Sequence, residues 1–276
     1  MLRQRAIGAA IFVPVILLAL IVGGPVLVAV VAVGTGIAAW ETFRLLRGAG
    51  YPSFWAMGAV LAVALVVDAA LPELIEDGGL LLVAVGAVLI AMGAFVLPDP
   101  RDGLATWMTT VFGALYASLL AFVVRLGDIA PAVPPTAALA GFGAERGWIV
   151  LLVLAVWSYD TGAFFVGRQF GRARFLEHLS PSKTWAGLIG GLVATTIVVA
   201  ILLVALGQPA LGALLLGPLI GLAAQAGDLA ESMLKRAAGA KDSSNLIPGH
   251  GGVLDRVDSF LFAAPAVTFY VAITVR

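Results

Sequence analysis

A dense group of side chains able to do polar chemistry lies between Glu231 and Asp258. The segment runs Ser232-Met233-Leu234-Lys235-Arg236, then Lys241-Asp242, then Pro248-Gly249-His250-Gly251-Gly252, then Asp255-Arg256-Val257-Asp258. Asp255 and Asp258 are three positions apart, so on a helix they share a face with Cβ atoms about 5–6 Å apart. Two carboxylates so placed suit a hard divalent cation that takes oxygen ligands. Lys235, Arg236, Lys241 and Arg256 are near in sequence and can offset phosphate charge. Gly249, Gly251 and Gly252 let backbone N–H groups come close to an anion. The pattern predicts a site for a metal and phosphates. A basic loop with incidental acids is the plainer alternative; it accounts for the lysines and arginines but not for the carboxylate spacing or the Gly-His-Gly-Gly turn.

Two more carboxylates stand inside apolar runs: Asp160 in Trp157-Ser158-Tyr159-Asp160-Thr161-Gly162, and Asp228 in Gln225-Ala226-Gly227-Asp228-Leu229-Ala230-Glu231-Ser232. An unpaired charge in hydrocarbon costs at least about 2.5–3.5 kcal/mol, so each must face a partner, a cavity or a cation. Pairing with a loop arginine is the alternative. The loop Gly167–Trp185 adds Ser180-Pro181-Ser182-Lys183-Thr184-Trp185. Its Ser-Lys-Thr echoes the end of a phosphate-binding P-loop, but Glu177 and Ser182 occupy the two glycine positions and the motif fails. His178 reads as a loop residue. Glu41 and Asp68 lie near span ends, where snorkelling to the interface accounts for them.

The elements that must position these groups are membrane spans. Of 276 residues, 61% are hydrophobic and only 12% charged, and mean hydropathy is +1.07. So much apolar surface does not fit a soluble globular domain. An all-α polytopic membrane protein is expected, with about nine spans: Ile7–Val22, Val26–Trp40, Phe54–Leu71, Leu80–Leu97, Leu104–Val124, Trp148–Val166, Ala186–Leu206, Leu211–Leu229 and Phe260–Val275. The runs lack the alternation of barrel strands. Arg3 and Arg5 precede the first run, which reads as a retained span rather than a cleaved signal. Alternating the loops leaves Arg125, Arg146 and Arg276 outside, and the other 13 of 16 basic residues inside. The positive-inside rule then puts the N-terminus in the cytoplasm, the C-terminus outside and both motif loops on the cytoplasmic side of the plasma (inner) membrane. Residues 1–147 read as an N-terminal membrane region of about five helices, and residues 148–276 as a catalytic region of about four. Zero net charge argues against nucleic acid as a partner. The lack of cysteine excludes thiolate chemistry, and two histidines are too few for a histidine zinc cage. Gly187/Gly191 and Gly217/Gly221 recur at four-residue spacing, as in close helix contacts in lipid.

The segment Ser232–Asp258 resembles the signature of the phosphatidate cytidylyltransferase (CDP-diacylglycerol synthase) family, including Ser232, Lys235, Arg236, Lys241, Asp242, Pro248, His250, Gly251, Gly252, Asp255, Arg256 and Asp258. Ser180–Trp185 resembles a second block of the family, Asp160-Thr161-Gly162-Ala163 a third, and Gly227-Asp228-Leu229 the approach to the signature. The likeness covers roughly Trp148–Phe260. One departure is Ala186, where the family usually has Glu after Lys-Thr-Trp. The resemblance implies transfer of the cytidylyl group of CTP to phosphatidate, giving CDP-diacylglycerol and pyrophosphate, with magnesium and potassium as a second cation, and a homodimer. It implies that Asp228, Asp255 and Asp258 face the metal, and that Lys235, Arg236, Lys241 and Arg256 hold the phosphates. Asp160, Ser180, Lys183, Thr184, Ser232, His250, Gly251 and Gly252 would line the substrate site.

The residues agree with that chemistry. A phosphomonoester is mostly a dianion at neutral pH, since its second pKa is about 6, and needs no strong base to act as nucleophile. The difficulty is joining two polyanions, which calls for cations. Two rivals remain: another CTP-dependent lipid enzyme such as a polyprenol kinase, and a cation-coupled transporter using Asp160 and Asp228. The transporter would carry polar motifs in both halves, and here they sit in one.

Overall fold

The computed structural model describes residues 14–247, 249 and 251–275. Among them the chain is helical and has no strands, only two isolated bridges, Arg174 with Thr184 and Ile247 with Gly251. The helices are α1 (residues 14–22), α2 (Gly24–Gly48), α3 (Trp55–Ala70), α4 (Gly78–Ala94), α5 (Pro100–Ser118), α6 (Ala121–Ile129), α7 (Gly143–Phe170), α8 (Trp185–Ala205), α9 (Ala213–Ala237) and α10 (Leu254–Thr274). The first half of the expected span Ile7–Val22 lies outside the described residues.

Five of these helices are long and apolar enough to cross a membrane: α2, α7, α8, α9 and α10. The count rises to six if α5 and α6 form one span, against the nine expected from hydropathy. Two of the other expected spans became the short apolar helices α3 and α4, of 16 and 17 residues. At 1.5 Å per residue these reach about 24–26 Å, less than the roughly 30 Å hydrocarbon core. The expected span Leu104–Val124 is broken, with α5 and α6 bent by 44°. No proline causes the bend. The Ser118 hydroxyl donates back to the Leu115 carbonyl, and Leu119, Leu120, Phe122 and Val123 donate to carbonyls three residues back. Such back-bonding and tightened turns bend helices.

The chain forms two compact units, drawn at other positions than the 147/148 division read in the sequence. Among the described residues, one comprises 14–124 and 233–257, the other 125–232 and 258–275. In the first, α2, α3, α4 and α5 pack together. The fully buried Phe43 ring fills the space left by Gly58 and Gly113, where any Cβ would strike it. Lipid removes the usual hydrophobic drive between helices, so close packing of small residues around large ones takes its place.

In the second unit, α7 and α8 form the most extensive helix pair. A Cβ at Gly162 would come within 2.9 Å of the Gly190 carbonyl oxygen, and one at Gly187 within 2.9 Å of that of Ala163. Gly191 lies on the ring of Tyr159 and Gly217 on Thr196. Both repeated glycine pairs therefore serve contacts inside the chain. The other side of α8 exposes Ile189, Val193, Ile197 and Ile201. A helix with glycine and threonine inward and isoleucine and valine outward suits a lipid surrounding. The chain is a multi-pass membrane protein on these grounds.

Candidate active site

Three carboxylates converge in the second unit. Asp228 and Glu231 come from α9 and Asp258 from α10, and one oxygen of each lies within 4.8 Å of the others. Asp228 and Glu231 are a helical i, i+3 pair on one face. Gly227 permits the approach of α10, because a Cβ there would run into the backbone carbonyl of Asp258. Glu231 is fully buried and the two aspartates are partly buried. Lys183 forms an ion pair with Asp228. Three like charges in so small a space repel one another strongly unless cations offset them. Lys183 supplies one positive charge, and the oxygen-only donor set fits a hard divalent cation for the remainder.

Lys183 is delivered by an ordered loop. The Lys183 amide donates to the Ser180 carbonyl (3.2 Å), and the Phe175 amide to the Lys183 carbonyl (3.3 Å). The Phe175 and Trp185 rings pack at 5.2 Å between centroids, tilted by 43°. Thr184 caps α8, its hydroxyl accepting from the Gly187 amide at 3.1 Å. A cavity of about 370 Å³ opens beside this loop, lined by Asp160, Arg168, Ser182, Lys183, Thr184 and Gln225 among others. Gln225 is one helical turn before Asp228, and its side-chain oxygen accepts from the buried Tyr159 hydroxyl at 2.8 Å.

Of the residues expected from sequence, the structure thus joins Asp228 with Asp258, and Asp160 with Lys183 and Thr184. Ser180 forms the turn that leads to Lys183 and is not among the cavity-lining residues. Ser232 is buried beside Glu231. His250 lies outside the described residues.

The structure does not bring Asp255 into the carboxylate group. In the first unit, one Asp255 oxygen accepts from Lys235 Nζ at 2.8 Å. The other accepts from the Ser243 amide (2.8 Å), the Ser243 hydroxyl (2.7 Å) and the Gly252 amide (2.8 Å). The glycine turn does meet an anion, but that anion is the Asp255 carboxylate. Gly251, at φ +81°, needs the left-handed freedom of glycine to make the turn. Arg236, Lys241 and Arg256 are exposed in the same unit.

Sequence reasoning passed over Glu231, although its spacing from Asp228 is the same one that singled out Asp255 and Asp258. It gave no role to Arg168, Ser182 and Gln225, which the structure places in the cavity wall with Lys183.

An all-helical membrane chain with a carboxylate cluster beside a lysine-bearing loop has the groups to hold a divalent cation and an anionic substrate together in a membrane. Residues 3–274 match the cytidylyltransferase family, and the chain belongs to it. It is 34% identical over 291 residues to a phosphatidate cytidylyltransferase of Synechocystis, an alignment covering 98% of this chain and 96% of that protein. It is 35% identical over 291 residues to the Pseudomonas aeruginosa phosphatidate cytidylyltransferase, covering 96% and 95%. A 128-residue stretch is 47% identical to the Brucella suis phosphatidate cytidylyltransferase, covering 45% and 47%. The chain is therefore a nucleotidyltransferase.

Proposed function

We infer that the chain transfers the cytidylyl group of CTP to phosphatidate, releasing pyrophosphate and leaving CDP-diacylglycerol in the membrane. The observation that carries this is the cluster of Asp228, Glu231 and Asp258 next to Lys183, in a chain that aligns along nearly its whole length with phosphatidate cytidylyltransferases. A phosphate oxygen of the lipid attacks the α-phosphorus of CTP. The bond from that phosphorus to the β-phosphate bridging oxygen breaks, and pyrophosphate takes the electron pair. The nucleophile is already an anion, so no proton need be removed.

Asp228, Glu231 and Asp258 are the residues that would hold magnesium, and Glu231 takes the place expected for Asp255. Bound there, the cation would neutralise phosphate oxygens and stabilise charge developing on them. Lys183, Ser182, Thr184 and Arg168 offer cations and hydroxyls to phosphate oxygens from the cavity wall. The Lys183–Asp228 pair keeps the ammonium extended toward the carboxylates until a phosphate competes for it. Asp160 lines the same cavity. Arg236, Lys241 and Arg256 are proposed as further phosphate partners on their residue type and the family signature. Potassium as a second cation and a homodimer rest on the family resemblance alone. The 13-to-3 distribution of basic residues that follows from alternating the nine expected spans argues for a site facing the cytoplasm, with CTP arriving from that side and the acyl chains remaining in lipid.

The test is direct. Purified protein in detergent is given labelled CTP, phosphatidate and Mg²⁺, and lipid products are resolved. CDP-diacylglycerol is expected. Folded protein that yields none across detergents and phosphatidate chain lengths would refute the assignment, and phosphorylated polyprenol from CTP would favour the kinase alternative.

A further inference from the structure

Glu41, in the last third of α2, is fully buried, contrary to the snorkelling expected of it. Both its oxygens are used. Oε1 accepts from the Ser244 hydroxyl and from the Val253 amide at 3.1 Å. Oε2 accepts from the Ser243 hydroxyl at 3.2 Å and from the Leu254 amide at 2.6 Å. Each oxygen therefore takes one hydroxyl from the start of the signature loop and one amide from its end. A single carboxylate staples the loop at its neck, joining 243–244 to 253–254.

The chemistry of this position favours an anion. Val253 and Leu254 stand where α10 begins, and the first amides of a helix have no partner within it. Their N–H groups and the helix dipole both attract negative charge. Gly252 is part of the arrangement, since a Cβ there would run into the Glu41 carboxylate and the Ser243 hydroxyl. That contact gives a physical reason for glycine at this place in the signature. The Ser243 hydroxyl stands between the carboxylates of Asp255 (2.7 Å) and Glu41 (3.2 Å), and its one proton is shared between them.

We propose that Glu41 is a positioning residue for cytidylyl transfer. From the N-terminal half of the chain, it holds the signature loop closed and sets the start of α10, without touching substrate. The kinetic side of this proposal rests on the function inferred above; the structural side does not.

Hydrogen exchange read by mass spectrometry tests the structural side on full-length protein in detergent. Glu41→Gln keeps the size of the side chain but turns an amide NH₂ toward one pair of donors. Exchange at Val253 and Leu254 is expected to accelerate about 10- to 100-fold, the equivalent of one or two charge-assisted hydrogen bonds. Glu41→Asp is smaller yet keeps both acceptors. It is expected to retain several-fold more kcat/KM than Glu41→Gln, whereas a purely space-filling residue would give the opposite order. Should Glu41→Gln fail to fold, Ser244→Ala takes its place and is expected to accelerate exchange at the same two amides. Unchanged exchange in the folded variant, or Glu41→Gln as active as Glu41→Asp or more so, overturns the proposal. Wild-type protein that makes no CDP-diacylglycerol refutes the function and leaves the exchange result to decide the staple.

Discussion

Gly227→Ala tests the geometry of the carboxylate cluster without altering any of its carboxylates. The added methyl would collide with the Asp258 carbonyl oxygen and lie 3.1 Å from the Asp258 carbonyl carbon and 3.2 Å from Ser259 Cα. All three are backbone atoms, so no side chain can turn aside, and α9 and α10 must part by on the order of 1 Å. Overpacking of this kind costs about 1–3 kcal/mol of stability. Its effect on chemistry is larger, because Asp228 and Asp258 ride on the two helices being separated. A misplacement of about 1 Å in a catalytic constellation costs about a hundredfold in rate. The assay is kcat/KM for CDP-diacylglycerol formation as Mg²⁺ is titrated, with thermal unfolding of the same samples. A fall of about a hundredfold is expected, with the Mg²⁺ midpoint displaced to higher concentration. Gly34→Ala is the control, since nothing lies within 4 Å of the new methyl and alanine favours a helix. Gly227→Ala with kcat/KM within about twofold of wild type, at matched folding, would refute the reasoning, because a helix spacing that tolerates a methyl cannot be setting the catalytic geometry.

Glu231→Gln should lower activity and weaken the response to Mg²⁺ while the protein still folds, and Mg²⁺ titration of CDP-diacylglycerol formation checks it; an unaltered midpoint would remove Glu231 from the metal site. Lys183→Met takes away the cation paired with Asp228. It should reduce kcat/KM by at least about tenfold, as expected for loss of one charge-assisted contact, and a wild-type value by the same assay would contradict the role. Asp255→Asn removes an acceptor for Lys235, Ser243 and Gly252, so it should make the loop around Lys241–Gly252 more sensitive to protease while the Mg²⁺ midpoint of the residual activity stays near wild type. For orientation, the chain has no cysteine and Asn245 is exposed whereas Ser243 is buried. Asn245→Cys should escape an impermeant maleimide added to intact cells and react once they are permeabilised; labelling of intact cells would reverse the topology.

The helical class and the chemistry of the second half were legible in the sequence for a simple reason. Long apolar runs admit few structures in lipid, and a charged residue inside one needs a partner. Asp160 and Asp228 stood out on that ground, whereas Asp258 stood out by its spacing from Asp255 and Lys183 by the resemblance of Ser180–Trp185 to a family block. What could not be read was which partner each group takes. Hydropathy does not register the back-bonding at Ser118 that breaks α5 from α6, nor the length of α3 and α4. Glu231 lay three residues from Asp228 and was readable by helical spacing. Glu41 was not, because its partners are more than 200 positions away along the chain.

Asp255 and Asp258 are equivalent by residue type and by sequence spacing, and their surroundings separate them. Asp255 accepts from two backbone amides and a hydroxyl of the loop and from a lysine. Asp258 accepts from the amide of Ser259 at 2.7 Å and stands with Asp228 and Glu231, so its near neighbours include two more carboxylates. A carboxylate among donors stabilises the loop that supplies them. Carboxylates gathered this closely repel one another, which favours binding a cation beyond the one charge that Lys183 supplies. Glu41 belongs with Asp255 by the same criterion, since its four partners are all donors. Removing a carboxylate of the first kind should therefore loosen the loop, and removing one of the second kind should ease the repulsion within the cluster and weaken its hold on magnesium.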